Sequence, residues 1–149
     1  MNIALVYSSI TGNTEELINI LKGLFRFYNV ESTAIRVDDF PLEKLARYDA
    51  IVIGTYTWGD GDIPDEMRSL YNAFEDQDVR NVVTGVVGTG DQFYPNFCGA
   101  VDEFRDMLYV HTQLAVTLKI ELTPQLQDLK RCRKFVDSLI KRLSTVEIK

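Results

Sequence analysis

Ile3-Ala4-Leu5-Val6-Tyr7-Ser8-Ser9-Ile10-Thr11-Gly12-Asn13-Thr14 sets five apolar residues against a run of hydroxyls, one glycine and one amide. A continuous apolar run of strand length predicts a strand buried on both faces. Leu17, Ile20, Leu21, Leu24, Phe25 and Tyr28 then recur at i, i+3, i+4, i+7, i+8 and i+11, an apolar stripe for a helix over about residues 13 to 28. Glu15 and Glu16 suit the first turn of that helix, where its dipole is positive. Strand, polar turn and helix in this order make the first half of a β-α-β unit.

The alternation continues outward from this unit. Thr33 to Val37 alternates polar and apolar residues, as an edge strand does. After a helical turn around Pro41 to Arg47, Ala50-Ile51-Val52-Ile53-Gly54-Thr55 is a second apolar run and the candidate central strand. Pro64 opens a helix carrying Met67, Leu70, Tyr71 and Phe74. Val82 to Val87 predicts another buried strand, and the loop Gly88 to Asn96 leads to a helix carrying Phe97, Val101, Phe104 and Leu108. Leu114 to Leu118 is the fifth strand. Thr123 with Pro124 is expected to cap a last helix striped by Leu129, Cys132, Val136, Leu139, Ile140 and Leu143. Five strands alternating with helices predict an α/β fold, a doubly wound five-stranded parallel sheet covered by helices on both faces. Ligands of such sheets bind beyond the carboxyl ends of the strands where strand order reverses, which singles out the loops 8–14, 55–62 and 88–97.

The chain has 149 residues, a length suited to one domain spanning 1–149. Its 46% hydrophobic and 26% charged residues are those of an ordinary globular domain, and no apolar stretch approaches the roughly 20 residues needed to span a bilayer. Met1-Asn2-Ile3-Ala4 shows no basic leader or cleavage site, so a cytoplasmic protein is expected. Cys98, Cys132 and the sole histidine, His111, do not have the spacing of a zinc site. Residues 38–91 hold 12 acidic and 4 basic side chains, a net of −8, whereas residues 119–149 hold 4 acidic and 8 basic, a net of +4. The acidic middle disfavours nucleic acid and favours a basic protein partner; solvated loops kept for solubility are the other reading.

The three loops carry the chemistry. Ser9, Thr11, Asn13 and Thr14, with the backbone exposed at Gly12 and a helix N-terminus behind, read as an anion cradle, most simply for phosphate. The competing reading is a hydroxyl-capped helix start without a ligand. No G-x-x-x-x-G-K-[ST] or G-x-G-x-x-G spacing is present, so nucleotide triphosphate hydrolysis and dinucleotide binding have no support. Trp58, between Thr57 and Gly59, and the aromatics Phe93, Tyr94 and Phe97 either flank a planar ligand or lid the sheet end.

Taken together, Tyr7 through Glu15, Thr55-Tyr56-Thr57-Trp58-Gly59-Asp60-Gly61-Asp62, and Gly90-Asp91 through Tyr94 to Phe97-Cys98-Gly99-Ala100-Val101-Asp102 resemble the three cofactor loops of flavodoxins. The resemblance covers essentially the whole chain. It is nearest to the short-chain flavodoxins of Bacillus-type bacteria, because the last strand has no room for the insertion of the long-chain group. Flavodoxins are themselves a standard case of the strand-order rule. The resemblance implies sheet order 2-1-3-4-5 and one non-covalently bound FMN. Ser9, Thr11, Asn13 and Thr14, with the N–H groups of Ile10 and Gly12, would hold the phosphate. Trp58 would stack on one face of the flavin and Tyr94 on the other, with Phe93 the alternative outer stacker, and Asp91 would accept hydrogen bonds from the pyrimidine side. Gly59 would turn its carbonyl toward flavin N5 in the one-electron-reduced state, and Asp60, Asp62 and Asp91 would lower the potential of the last reduction step. Thr55, Tyr56, Thr57, Gly90, Phe97 and Cys98 complete the implied cofactor-binding set, although Cys98 also reads as a small buried residue at a helix start.

The implied function is a low-potential one-electron carrier rather than an enzyme, a monomer that takes electrons from a flavodoxin/ferredoxin-NADP reductase and delivers them to client enzymes. Its acidic rim, with Asp60, Asp62, Asp65 and Glu66 nearest Trp58, would face the partner. Other functions weighed on the same residues are an FMN-dependent quinone or azo reductase, a flavodoxin-like activator of ribonucleotide reductase, and a phosphate-switched receiver domain. The last is disfavoured by Tyr7-Ser8 and Thr55-Tyr56-Thr57, which stand where paired acids would be needed. Cys132 is expected in the core, His111 in a surface loop, and the basic last helix on a solvated face.

Overall fold

A computed structural model describes residues 1–148. Five parallel strands, β1 (Ile3–Tyr7), β2 (Thr33–Arg36), β3 (Ala50–Tyr56), β4 (Val83–Gly90) and β5 (Gln113–Glu121), form one sheet in the order β2-β1-β3-β4-β5. Four helices connect and follow them: α1 (Asn13–Phe27), α2 (Arg68–Asp76), α3 (Gly99–His111) and α4 (Leu129–Ile148). The alternation of β1 explains its unbroken apolar sequence. Ile3, Leu5 and Tyr7 pack with Leu17, Leu21 and Phe25 of α1 and with the α4 side, whereas Ala4 and Val6 join a second core built on Leu70, Phe74, Phe104 and Leu108 of α2 and α3. Both faces of the strand are therefore removed from water, as a doubly covered parallel sheet requires. Phe135 of α4 is fully buried in the first of these cores, and truncating a phenylalanine in such a place costs about 3–5 kcal/mol.

The exposed edges are managed differently. β2 has only four residues, while β5 is interrupted by a register shift opposite Thr84 and Gly85. Short and irregular edges of this kind resist pairing with another chain.

Several boundaries depart from the sequence expectations. β4 runs on to Gly90 rather than ending at Val87, which brings Thr89 into the strand. Phe97 lies outside α3, because Asn96 (φ 60°) and Cys98 (φ 52°) are left-handed and the helix begins only at Gly99. Thr123 does not cap α4: its hydroxyl donates to Glu16, and the entry is a capping box between Gln125 and Asp128 on a short 3-10 turn, Leu126–Asp128. Likewise Pro64 precedes a 3-10 turn, Asp65–Met67, before α2 begins at Arg68. His111 is the last residue of α3, not a loop residue, and Cys132 is buried in the core as expected. No described helix is long and apolar enough to cross a membrane.

Candidate functional site

β1, β3 and β4 end side by side, and the segments leaving them meet at one edge of the sheet. In the first, Gly12 takes φ 94° and its carbonyl accepts the Glu16 N–H at 2.9 Å, starting α1. That conformation is open to glycine at little cost. Ser9 Oγ accepts the N–H groups of Gly12 (3.2 Å) and Glu15 (3.3 Å). Ser9 therefore does the capping work that the ligand-free reading assigned to this loop. Among the described residues, the N–H groups of Ile10, Thr11, Asn13 and Thr14 find no acceptor, nor do the side chains of Thr11 and Asn13 find partners. Unpaired donors at the positive end of a helix are a ready anion site. Thr14 differs from the other hydroxyls, since its Oγ1 is buried 2.8 Å from Thr89 Oγ1.

In the second segment, Trp58 and Asp62 exchange backbone hydrogen bonds, Trp58 N–H to Asp62 O at 2.8 Å and Asp62 N–H to Trp58 O at 2.7 Å. This closes a tight turn through Gly59 (φ 55°), Asp60 and Gly61 (φ 115°). The turn leaves the Trp58 indole 57% exposed. Neither the Gly59 carbonyl nor the Asp60 N–H has a hydrogen-bond partner among the described residues, so the peptide joining them is unanchored.

The third segment is an Asx turn in which Asp91 Oδ1 accepts the Phe93 N–H at 2.9 Å and Asp91 O accepts that of Tyr94 at 3.1 Å. Trp58 with Thr57 and Gly59, and Tyr94 with Pro95, Asn96, Phe97, Gly90, Asp91 and Cys98, wall a cleft of about 510 Å³. Its size and aromatic lining suit a planar heterocycle. Tyr94 faces the cleft, whereas Phe93 is 95% exposed and does not line it.

Side chains lock the three segments together. Asn96 Nδ2 donates to Asp60 O at 2.8 Å and the Ala100 N–H to Thr57 Oγ1 at 3.2 Å, joining second and third. Gly99 is required at this junction, because a Cβ there would lie 2.7 Å from Gly61 Cα. Thr14 and Thr89 join first and third. Ser8 and Tyr56 both donate to Glu66 Oε1, joining first and second. Burial and the Glu66 hydrogen bond push the Tyr56 phenol above its ordinary range. Partial burial of Glu66 opposes ionisation, but the donors Tyr56 and Ser8 outweigh it and hold the carboxyl below the usual value.

The structure therefore sorts the expected site residues. Thr11, Gly12 and Asn13 lie open on the cradle, and Ile10 is exposed beside it. Thr57, Trp58, Gly59, Gly90, Asp91, Tyr94, Phe97 and Cys98 line the cleft, while Asp60 sits at the tip of the Trp58 turn. Thr55 is buried, and its hydroxyl is spent on the Tyr56 carbonyl at 2.7 Å. Tyr56 is turned to Glu66. Glu66, also expected on the partner-facing rim, is exposed, but its Oε1 is taken up by Ser8 and Tyr56. Asp60, Asp62 and Asp65 are exposed and, among the described residues, unpaired. Sequence reading also missed Arg36, at the end of β2, which donates to Ser9 O at 3.3 Å, pairs with Glu15 at 3.5 Å and lies over the Tyr7 ring. Its alternating edge strand was legible, but its approach to a loop in another part of the chain was not.

An anion-ready loop and an aromatic cleft at the strand-order reversal of a doubly wound sheet define a class of protein suited to a planar ligand that carries a phosphate. The flavodoxin family profile matches residues 5–135 of this chain. The chain is 38% identical over 135 residues to "Probable flavodoxin 1" of Bacillus subtilis, covering 88% of this chain and 85% of that one. It is 43% identical over 103 residues to that organism's "Probable flavodoxin 2", covering 67% of each. The crystal structure of oxidised Flavodoxin 1 from Bacillus cereus superposes with a TM-score of 0.86 at 34% identity, over 95% of this chain and 98% of the other. A short-chain flavodoxin associated with a bacterial microcompartment gives a TM-score of 0.90 at 31% identity, over 96% and 99%. The chain belongs to the flavodoxin family, of the Bacillus-type short-chain group: it is an FMN-binding electron-transfer protein.

Proposed function

We propose that this flavodoxin, acting as a single domain over the whole chain, binds its FMN across the three segments described above. The observation that carries the assignment is the set of free N–H groups at Ile10, Thr11, Asn13 and Thr14 beside an aromatic-walled cleft. The cradle fits a phosphate without any lysine in the loop, because aligned N–H donors and the α1 dipole supply the positive field. Thr11 Oγ1, the Asn13 amide and the Ser9 O–H add side-chain donors, the Ser9 oxygen also holding the loop, while Thr14 contributes through its N–H, its hydroxyl being paired with Thr89. Trp58 and Tyr94 flank the ring system. Asp91 keeps Oδ2 for the pyrimidine edge, Oδ1 being used by Phe93 N–H.

When bound, FMN supplies reversible redox chemistry in single-electron steps. The protein's part is to orient and shield the ring and to set its proton and charge environment. The unanchored 59–60 peptide can rotate to accept a hydrogen bond through Gly59 O, at small cost for glycine. Asp60, Asp62 and Asp91 place negative charge around the cleft, which disfavours an added negative charge on the ring and lowers the potential of the final step.

Redox partner proteins follow from the family. We assign the partner surface to the acidic rim around Trp58, with Asp60, Asp62 and Asp65 free to face a basic patch on a flavodoxin/ferredoxin-NADP reductase and on client enzymes. The protein is read as a cytoplasmic monomer. The quinone or azo reductase and the ribonucleotide reductase activator gain nothing from the family findings. Stepwise anaerobic reduction of the purified holoprotein tests the reading. Two resolved one-electron steps, without direct NAD(P)H oxidation by the protein alone, are expected; rapid, saturable NAD(P)H oxidation without a reductase would contradict it.

A further inference from the structure

We infer that Glu66 is a positioning residue for the flavin site, its carboxylate oxygen serving as the shared acceptor that fixes the start of the phosphate cradle against the base of the Trp58 turn. The inference rests on the FMN reading above and goes beyond it, because Glu66 does not line the cleft. β1 and β3 are hydrogen-bonded neighbours up to Tyr7 and Gly54, and the last backbone bond between them is Ser8 N–H to Gly54 O at 3.1 Å. Beyond that point the two chains diverge, one into the cradle and the other toward Trp58. Among the described residues no hydrogen bond passes directly between 8–14 and 55–62; Glu66 bridges their bases through a single oxygen, beside the route from Thr14 through Thr89 to the end of β3. Ser8 Oγ donates to Glu66 Oε1 at 2.7 Å, and Tyr56 Oη donates to the same oxygen. Ser8 is buried and immediately precedes Ser9; Tyr56 is half-buried and two residues before Trp58.

Glu66 is itself held by a third element. It sits in the Asp65–Met67 turn, which is closed by Met67 N–H to Pro64 O at 2.9 Å and anchored by the fully buried Met67. A rigid acceptor on one side and two donors on the other restrict both loop bases at once. Such preorganisation raises affinity by lowering the ordering cost on binding. Because both donors use one oxygen, the device needs an acceptor rather than a charge: the carbonyl oxygen of glutamine can accept both bonds, whereas alanine accepts neither.

The test compares the apoprotein with Glu66→Ala, Glu66→Gln and Tyr56→Phe by titration with FMN and with riboflavin, with Trp58 fluorescence of the ligand-free protein recorded alongside. Glu66→Ala should weaken FMN about 10-fold or more and weaken riboflavin as well, since the ring-binding turn is loosened, and it should alter the indole emission. Glu66→Gln should stay within about threefold of the parent, and Tyr56→Phe should fall between the two. Glu66→Ala within about threefold of the parent, or Glu66→Gln as weak as Glu66→Ala, would overturn the inference. If Glu66→Ala does not fold, Tyr56→Phe decides: binding indistinguishable from the parent overturns the inference, and weakened binding supports it. Failure of the FMN reading is separately visible, because the parent would then bind riboflavin as tightly as FMN.

Discussion

The hydroxyls of Thr14 and Thr89 lie 2.8 Å apart in the protein interior, joining the first turn of α1 to the end of β4 across 75 positions of sequence. Either can donate, and each is the other's only side-chain partner among the described residues. Replacing Thr89 with valine keeps the shape but leaves Thr14 Oγ1 buried without a partner, a loss of about 1–3 kcal/mol. Replacing both with valine should cost less than the sum of the two single changes, by about 1 kcal/mol or more. Urea unfolding of the apoproteins measures this; strictly additive losses would show that the pair does not act as a unit.

The partner reading makes a kinetic prediction. Asp60, Asp62, Asp65 and Glu66 are all exposed, but Glu66 alone accepts hydrogen bonds from Ser8 and Tyr56, so the rim is best neutralised at the first three. Steering charges act mainly on association rate and are screened over about 8 Å at physiological ionic strength. The triple asparagine variant should receive electrons from a reductase more slowly at low salt and show a flatter salt dependence, with the FMN spectrum unchanged. Stopped-flow reduction across a salt series checks this. An unaltered rate and slope would remove the steering role and leave these acids with the solvating and potential-setting roles alone.

Much of this architecture was legible because buried strands and amphipathic helices leave periodic traces. Ile3 to Tyr7 and the stripe from Leu17 onward carried their reading on spacing alone. The donor types of the cradle were legible too, but which donors remain free was not. Thr14 is taken up by Thr89, and the acceptor Glu66 by Ser8 and Tyr56, through contacts that only the sheet order brings about. Phe97 fits a helical stripe, yet the left-handed turns at Asn96 and Cys98, and the Asn96 bond to Asp60, delay α3 to Gly99. In each of these cases tertiary contacts decided what local pattern could not.

The cysteines predict a pH dependence. Burial pushes the Cys98 thiol up to about 12 and that of Cys132 up to about 11, from an ordinary 9.0. Both thiols ionise more readily in the unfolded chain, so their contribution to stability is complete below pH 9.0 and falls as pH rises toward 11 and 12. The raised phenols of Tyr7, Tyr56 and Tyr71 act in the same direction. Melting temperature should therefore fall on the alkaline side, and a thiol reagent at mildly alkaline pH should label neither cysteine until denaturant is added. Rapid labelling of the folded protein would show that the thiols are accessible and ionised.

The central claim is that the loop from Ser9 to Thr14 is a phosphate cradle and the cleft beside it a flavin site. Titration of the parent apoprotein and of Thr11→Ala with FMN and with riboflavin, under one set of conditions, tests it most directly. The parent should bind FMN far more tightly than riboflavin. Loss of the Thr11 hydroxyl should weaken FMN by about 1–2 kcal/mol through a missing charge-assisted hydrogen bond, while leaving riboflavin unchanged. Equal affinity of the parent for FMN and riboflavin, or an equal loss of both in Thr11→Ala, would contradict the account.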